Sequence, residues 1–167
     1  MNISASFLSS KNIPRDLMRL NETDLDFIHV DVMDGKYVPN KTMPFKQMRN
    51  IYKYTSKRLD VHLMVKNPKK YIKDYATLNT EFITIHPNID EDLITCFQEI
   101  KSYAVKVGLA LNPNVEVKDI VPYLPYLDLI LVMGVEPGKG GQSFIEETVE
   151  KLKEVQVLLK SYPEFSI

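Results

Sequence analysis

Apolar positions in this chain fall into short β-rich runs, separated by longer stretches with helical spacing. The runs lie near residues 2–6, 26–33, 58–65, 81–86, 105–111 and 127–133, and the helical segments near 14–22, 44–54, 68–77, 89–103, 114–124 and 145–160. Some runs are almost continuously hydrophobic, as in Leu127-Asp128-Leu129-Ile130-Leu131-Val132-Met133. Parallel strands covered on both faces read this way. Asn67-Pro68 and Asn112-Pro113 mark helix entries, since proline suits a first helical turn. Asp90, Glu91 and Asp92 put carboxylates where the dipole of the fourth helix favours them. Strand then helix, six times over, predicts a parallel α/β sheet with helical crossovers.

Two architectures share that pattern, an open doubly wound sheet and a (β/α)8 TIM barrel. Polar side chains at the C-terminal ends of several strands favour the barrel. An open sheet more often has its glycine-rich phosphate loop after the first strand. Here the loop Gly138-Lys139-Gly140-Gly141 follows the sixth. A barrel needs eight βα units and usually at least ~200 residues, whereas the 167 residues supply about six. The expectation is one barrel domain spanning residues 1–167, incomplete at its C-terminal end, with Tyr162-Pro163-Glu164-Phe165-Ser166-Ile167 as a loop and the first residues of a seventh strand.

Composition narrows the classes of function. A 44% hydrophobic and 26% charged chain is ordinary for a globular protein. Its net charge of −1, from 21 basic and 22 acidic residues, argues against a nucleic-acid partner. The local cluster Lys66-Asn67-Pro68-Lys69-Lys70 reads as a solvated helix start. The single cysteine, Cys96, has no disulfide partner and sits in a helix-like segment, so it reads as a small core residue. No apolar run approaches the ~20 residues of a membrane span. Met1-Asn2-Ile3-Ser4-Ala5 is not a signal peptide, so the expected location is cytoplasmic.

The candidate chemistry lies on two neighbouring strands. In His29-Val30-Asp31-Val32-Met33, the period of two aims His29, Asp31 and Met33 at one face, and Ile28, Val30 and Val32 at the other. In Asp60-Val61-His62-Leu63-Met64, the residues Asp60, His62 and Met64 share a face in the same way. Buried ionisable groups need partners, so His29, Asp31 and His62 together predict a site. Two imidazoles and a carboxylate suit zinc, iron(II), manganese or cobalt. Asp60 lies deeper, where a structural hydrogen bond and a catalytic role are equally open. Gly138 to Gly141 let backbone N–H groups approach an anion, and the helix that follows favours phosphate at its N-terminus. Met33, Met64 and Met133 end strands at the same rim and either line a pocket or fill core. The turn Asp34-Gly35-Lys36-Tyr37-Val38-Pro39-Asn40 either covers the pocket or simply connects. His86, at the end of the fourth strand, is expected to make a structural hydrogen bond.

These stretches resemble the ribulose-phosphate 3-epimerase family. The resemblance rests on Ser6-Phe7-Leu8-Ser9, His29 through Gly35, Val38-Pro39-Asn40, Asp60 through Val65, Gly108-Leu109-Ala110-Leu111-Asn112-Pro113, Met133 through Gly138, and Gly140-Gly141-Gln142-Ser143-Phe144. It implies a (β/α)8 barrel of the ribulose-phosphate-binding type that binds one divalent metal ion. In that family His29, Asp31 and His62 match three of four metal ligands, and Asp31 also matches one of two acid–base carboxylates. Ser6 and His62 match residues at the substrate, and Met33, Met64 and Met133 match methionines around the intermediate. Gly138, Lys139, Gly140 and Gly141 match a substrate phosphate loop, although the family usually has an aromatic residue where Lys139 stands.

The implied reaction is epimerisation at C3 of D-ribulose 5-phosphate to D-xylulose 5-phosphate through an enediolate, a step of the pentose phosphate pathway. Inversion needs one proton carrier on each face. Asp31 serves one, and the family's second carboxylate, also its fourth metal ligand, lies on a seventh strand in an Asp-Gly-Gly context past Ile167. The chain as written is therefore expected to be inactive. The expected partner is a phosphorylated ketose, and the family's dimers and hexamers imply a homo-oligomer. Two alternatives stay open: an epimerase for a six-carbon ketose phosphate such as allulose 6-phosphate, and, for a chain natively of 167 residues, a non-catalytic remnant binding metal or phosphosugar. A decarboxylase of the orotidine phosphate type is disfavoured, because Met33 stands where its motif needs lysine.

Overall fold

In the computed structural model, which describes residues 2–162, six strands alternate with helices. The strands are β1 (Ser4–Ser6), β2 (Phe27–Met33), β3 (Arg58–Met64), β4 (Thr80–Ile85), β5 (Lys106–Leu111) and β6 (Leu129–Val132). All pair in parallel, in the order β1-β2-β3-β4-β5-β6. The helices are α1 (Ile13–Asn21), α2 (Phe45–Met48), α3 (Lys69–Ala76), α4 (Leu93–Ser102) and α5 (Thr148–Leu159). Each strand from β1 to β5 thus feeds a crossover that returns to its neighbour, as a barrel requires.

The period of two sorts the strand residues between two faces. Ile28, Val30, Leu59, Val61, Leu63, Ile83 and Leu109 are completely buried and form one core with Leu17, Ile72, Phe97, Ile100 and Leu124 from the crossovers. Burying each such side chain contributes roughly 1.5–3 kcal/mol, so the outer face of the sheet holds the helices. Cys96 belongs to this core, as its segment predicted. The sheet curls: the ends of β1, β2, β3 and β6 line one cavity, and Asn40 Nδ2 after β2 donates to the carbonyl of Gly138 after β6 at 2.8 Å. The result is a partial (β/α) barrel, with the ionisable residues on its concave face.

Local chemistry accounts for most departures from the predicted boundaries. The predicted helix over 114–124 is a 3₁₀ helix, Val117–Tyr126, with Pro122 and Pro125 inside it. Neither proline has an N–H to donate to an α-helical ladder. The one over 44–54 is α-helical only to Met48 and then 3₁₀ from Arg49 to Lys53. The tighter winding stacks positions three apart, and Met48 and Ile51 are each 2% exposed. α4 begins at Leu93 rather than 89, because Asp92 caps it by accepting from Thr95 N at 2.8 Å. Asp90 and Glu91 precede the helix, and Glu91 accepts from the Lys69 amide at 2.9 Å, holding the start of α3. The predicted seventh strand falls largely on residues 163–167, outside the described residues.

Candidate active site

Strand register brings the polar residues into rows. Ser6, His29 and Asp60 are lateral neighbours across β1, β2 and β3, and Asp31 pairs with His62 two residues further along. Met33 and Met64 pair at the rim. His29 lies between two carboxylates: its Nδ1 is 2.8 Å from Asp60 Oδ2 and its Nε2 is 3.4 Å from Asp31 Oδ1. Ser4 donates to Asp60 Oδ2, and Ser6 donates to Asp31 Oδ2, each at 2.8 Å. These bonds leave Asp31 Oδ1 facing His29 Nε2 on one side and His62 Nδ1, 3.6 Å away, on the other.

Burial and charge oppose each other at these groups. Burial alone would lower the pKa of His29, but hydrogen bonds with Asp31 and Asp60 outweigh it and raise the pKa to about 10. Burial would raise Asp31, yet the neighbouring His29 and the Ser6 hydroxyl hold the carboxyl far below the usual carboxylate range. Asp60 is lowered too, where bonds from His29 and Ser4 win over desolvation. His62 is buried and its pKa falls, mainly by desolvation. His86 is pushed down to about 3 by burial and by the neighbouring His62.

The donor set suits a divalent metal. One atom each from His29, Asp31 and His62 lies within 4.8 Å of the others. Their separations from Asp31 Oδ1, 3.4 and 3.6 Å, are near the ~3.3 Å between tetrahedral ligands held at about 2.0–2.1 Å. Imidazole nitrogen with one carboxylate oxygen is the chemistry of zinc, iron(II), manganese and cobalt sites.

Above these three residues opens a cavity of about 360 Å³, lined by Ser6, Met33, Met64, Met133, Gly138, Lys139 and Gly140 among others. Gly141 is outside the lining, with φ +70°. Gln142 Nε2 donates to the carbonyls of Glu136 and Lys139, at 2.6 and 2.8 Å, and so shapes the loop. Gly138 has φ +113°, and a Cβ there would lie 2.9 Å from Val38. α5 starts at Thr148 rather than at the predicted 145, so a short segment lies between the glycines and its N-terminus. The turn after β2 meets the glycine loop through Asn40 and Val38, so it crosses the mouth of the cavity. A larger depression of about 650 Å³ lies against α1, lined by Phe7, Asp16 and Arg19 among others. It lacks the convergent histidines, so the smaller cavity is the candidate site.

Behind His62 runs a buried polar network. His62 Nε2 lies 2.8 Å from His86 Nε2, and His86 Nδ1 lies 2.6 Å from Asn112 Oδ1. Asn112 Nδ2 donates to the Tyr37 hydroxyl at 2.9 Å. Asn112 was legible in principle, since residues 108, 110 and 112 share one face by the period of two. Tyr37 lies in a turn, where no periodicity points to it.

The chain as a whole is similar to known proteins. The profile of the ribulose-phosphate 3 epimerase family matches residues 2–166. A ribulose-phosphate 3-epimerase of Helicobacter pylori is 38% identical over 167 residues, covering 97% of this chain and 75% of the relative. That of Escherichia coli K12 is 40% identical over 159 residues, covering 92% and 70%. Among solved structures, the N-terminal domain of a Bacteroides vulgatus protein assigned as an aldolase superposes with a TM-score of 0.61 at 16% identity, covering 100% of this chain and 62% of the other. At that identity the likeness supports the barrel fold alone.

Proposed function

The chain belongs to the ribulose-phosphate 3 epimerase family, and from that premise we propose that its cavity epimerises D-ribulose 5-phosphate at C3 to D-xylulose 5-phosphate. The observation that carries this reading is the convergence of His29 Nε2, Asp31 Oδ1 and His62 Nδ1 beneath a cavity rimmed by a glycine loop. The substrate's phosphate faces Gly138, Lys139 and Gly140, where glycine lets the backbone approach and Lys139 adds positive charge. Its C2–C3 end then reaches Asp31.

His29, Asp31 and His62 would hold one divalent cation, of zinc, iron(II), manganese or cobalt type, which when bound supplies a Lewis acid that polarises the C2 carbonyl and stabilises negative charge on its oxygen. The Asp31 carboxylate takes or returns the C3 proton on one face. Ser6 holds its second oxygen. Inversion removes one proton and adds one on the opposite face, so a second carrier acts there; by family likeness it is a carboxylate of a seventh strand. Asp60 does not line the cavity; it bonds His29 Nδ1 and so turns Nε2 toward Asp31. Met33, Met64 and Met133 give the reacting carbons an apolar wall that excludes water. Among the described residues no helix is long and apolar enough to cross a membrane, and the reading places the enzyme in the cytoplasm beside its phosphorylated ketose.

The test is a coupled assay of D-xylulose 5-phosphate formation, run before and after complete metal removal, with D-allulose 6-phosphate as competing substrate. In a form that carries the seventh-strand carboxylate, the expected result is turnover of the pentulose phosphate that stops on chelation and returns with added cation. Unchanged turnover without metal sinks the metal-assisted mechanism, and preference for the six-carbon substrate sinks the pentulose assignment.

A further inference from the structure

We propose that His86 and Asn112 are positioning residues that fix the proton of His62 on Nε2, leaving the Nδ1 lone pair aimed at the point shared with His29 and Asp31. The proposal rests on reading those three residues as metal ligands. Its basis is a hydrogen-bonded chain whose direction follows from the orientation of the Asn112 amide. Asn112 Nδ2 donates to the Tyr37 hydroxyl at 2.9 Å, which turns the amide oxygen toward His86. That oxygen lies 2.6 Å from His86 Nδ1. An amide oxygen only accepts, so His86 Nδ1 carries hydrogen.

His86 is 0% exposed and meets no carboxylate in this network, so its ring is neutral and its Nε2 is a bare acceptor. The contact of 2.8 Å between the two Nε2 atoms holds one proton, which then belongs to His62. A neutral His62 protonated at Nε2 has its lone pair on Nδ1, the atom that faces Asp31 Oδ1.

The rings' arrangement agrees. The His62 and His86 centroids are 4.9 Å apart with planes tilted by 24°. With nitrogens 2.8 Å apart, that centroid distance means rings meeting edge to edge, so the contact is a hydrogen bond rather than a stack. The Tyr37 ring covers His86, with centroids 4.6 Å apart. A reversed amide would drive the chain the other way and put hydrogen on His62 Nδ1, and a protonated nitrogen does not ligate a cation. The two imidazoles are therefore set by different devices. Asp60 holds His29 through a charged partner, whereas His62 is held by an uncharged imidazole and amide. Neither His86 nor Asn112 lines the cavity.

The experiment reads tautomers directly. Nitrogen-15 spectra of the histidines in metal-free protein are expected to show His62 protonated at Nε2 and bare at Nδ1, with His86 the reverse. A His62 protonated at Nδ1 overturns the proposal, and this measurement needs no variant to fold. Titration with cobalt(II), followed by its visible absorption, supplies the second readout. His86→Phe keeps a ring but removes the acceptor, and should weaken cobalt binding roughly 10–100-fold. His86→Gln, whose amide oxygen accepts from Nε2–H, should recover part of that loss. Wild-type affinity in His86→Phe overturns the proposal. A wild-type protein that takes no cobalt at all defeats the metal reading instead, and the His62 tautomer still decides the relay.

Discussion

Asp31 and Asp60 stand one strand apart, both half-buried and both beside His29, yet their surroundings give them different work. Asp31 has an oxygen at the cavity floor, while Asp60 is occupied by His29 and Ser4. Asp31→Asn should remove a proton carrier and lower turnover by roughly 10²–10⁴-fold, with an unchanged circular dichroism spectrum. Near wild-type turnover would remove Asp31 from the chemistry. Asp60→Asn should instead weaken metal binding roughly 10–100-fold, with turnover largely restored at saturating metal. Turnover still lost at saturation would make Asp60 catalytic. Both aspartates were legible from strand periodicity, because i and i+2 share a face. Their difference was not, since it depends on which oxygens Ser4 and Ser6 occupy across β1, and register between strands is not written in either strand alone.

At the scale of elements, the loop after β5 is tied to α5 by one ammonium. Lys151 Nζ donates to the carbonyls of Asn112, Pro113 and Val115, at 2.9, 2.6 and 2.8 Å. Lys151→Met keeps the aliphatic stem and strips all three bonds. The expected loss is about 2 kcal/mol, read as a lower urea midpoint at unchanged slope. Asn112 heads this loop, so the variant should also lower metal affinity; an unchanged midpoint would show the clamp to be idle. Gly138→Ala forces a side chain into a φ of +113° and against Val38. It should raise KM for the phosphorylated substrate more than it lowers kcat, since it disturbs the phosphate rim and leaves Asp31 in place. The sequence showed that strands and helices alternate and where proline interrupts them. It did not show the clamp or the turn crossing the mouth, because both join segments far apart in the chain through single side chains.

At the scale of the molecule, the metal reading predicts linkage between occupancy and stability. Cation at about 100 times its Kd should stabilise the fold by roughly 2.7 kcal/mol, so chelation should lower Tm along with activity. An identical Tm in excess chelator and excess cation would separate the triad from metal binding. The curl of the sheet was the least legible property, because a run of parallel strands reads alike in an open sheet and in a barrel, and only the polar strand ends and the glycine loop's place after the sixth strand argued for closure. The contact that closes the mouth also has a consequence for folding. Asn40 meets Gly138 across 98 residues of chain, whereas His29, Asp31 and His62 sit on consecutive, directly paired strands. Loop closure over so long a span is entropically slow, so the ligand triad should assemble early and the phosphate rim last. On partial unfolding the order reverses: amide exchange should release residues 138–141 well before β2 and β3, a state in which the protein still holds its cation but has lost its grip on the sugar.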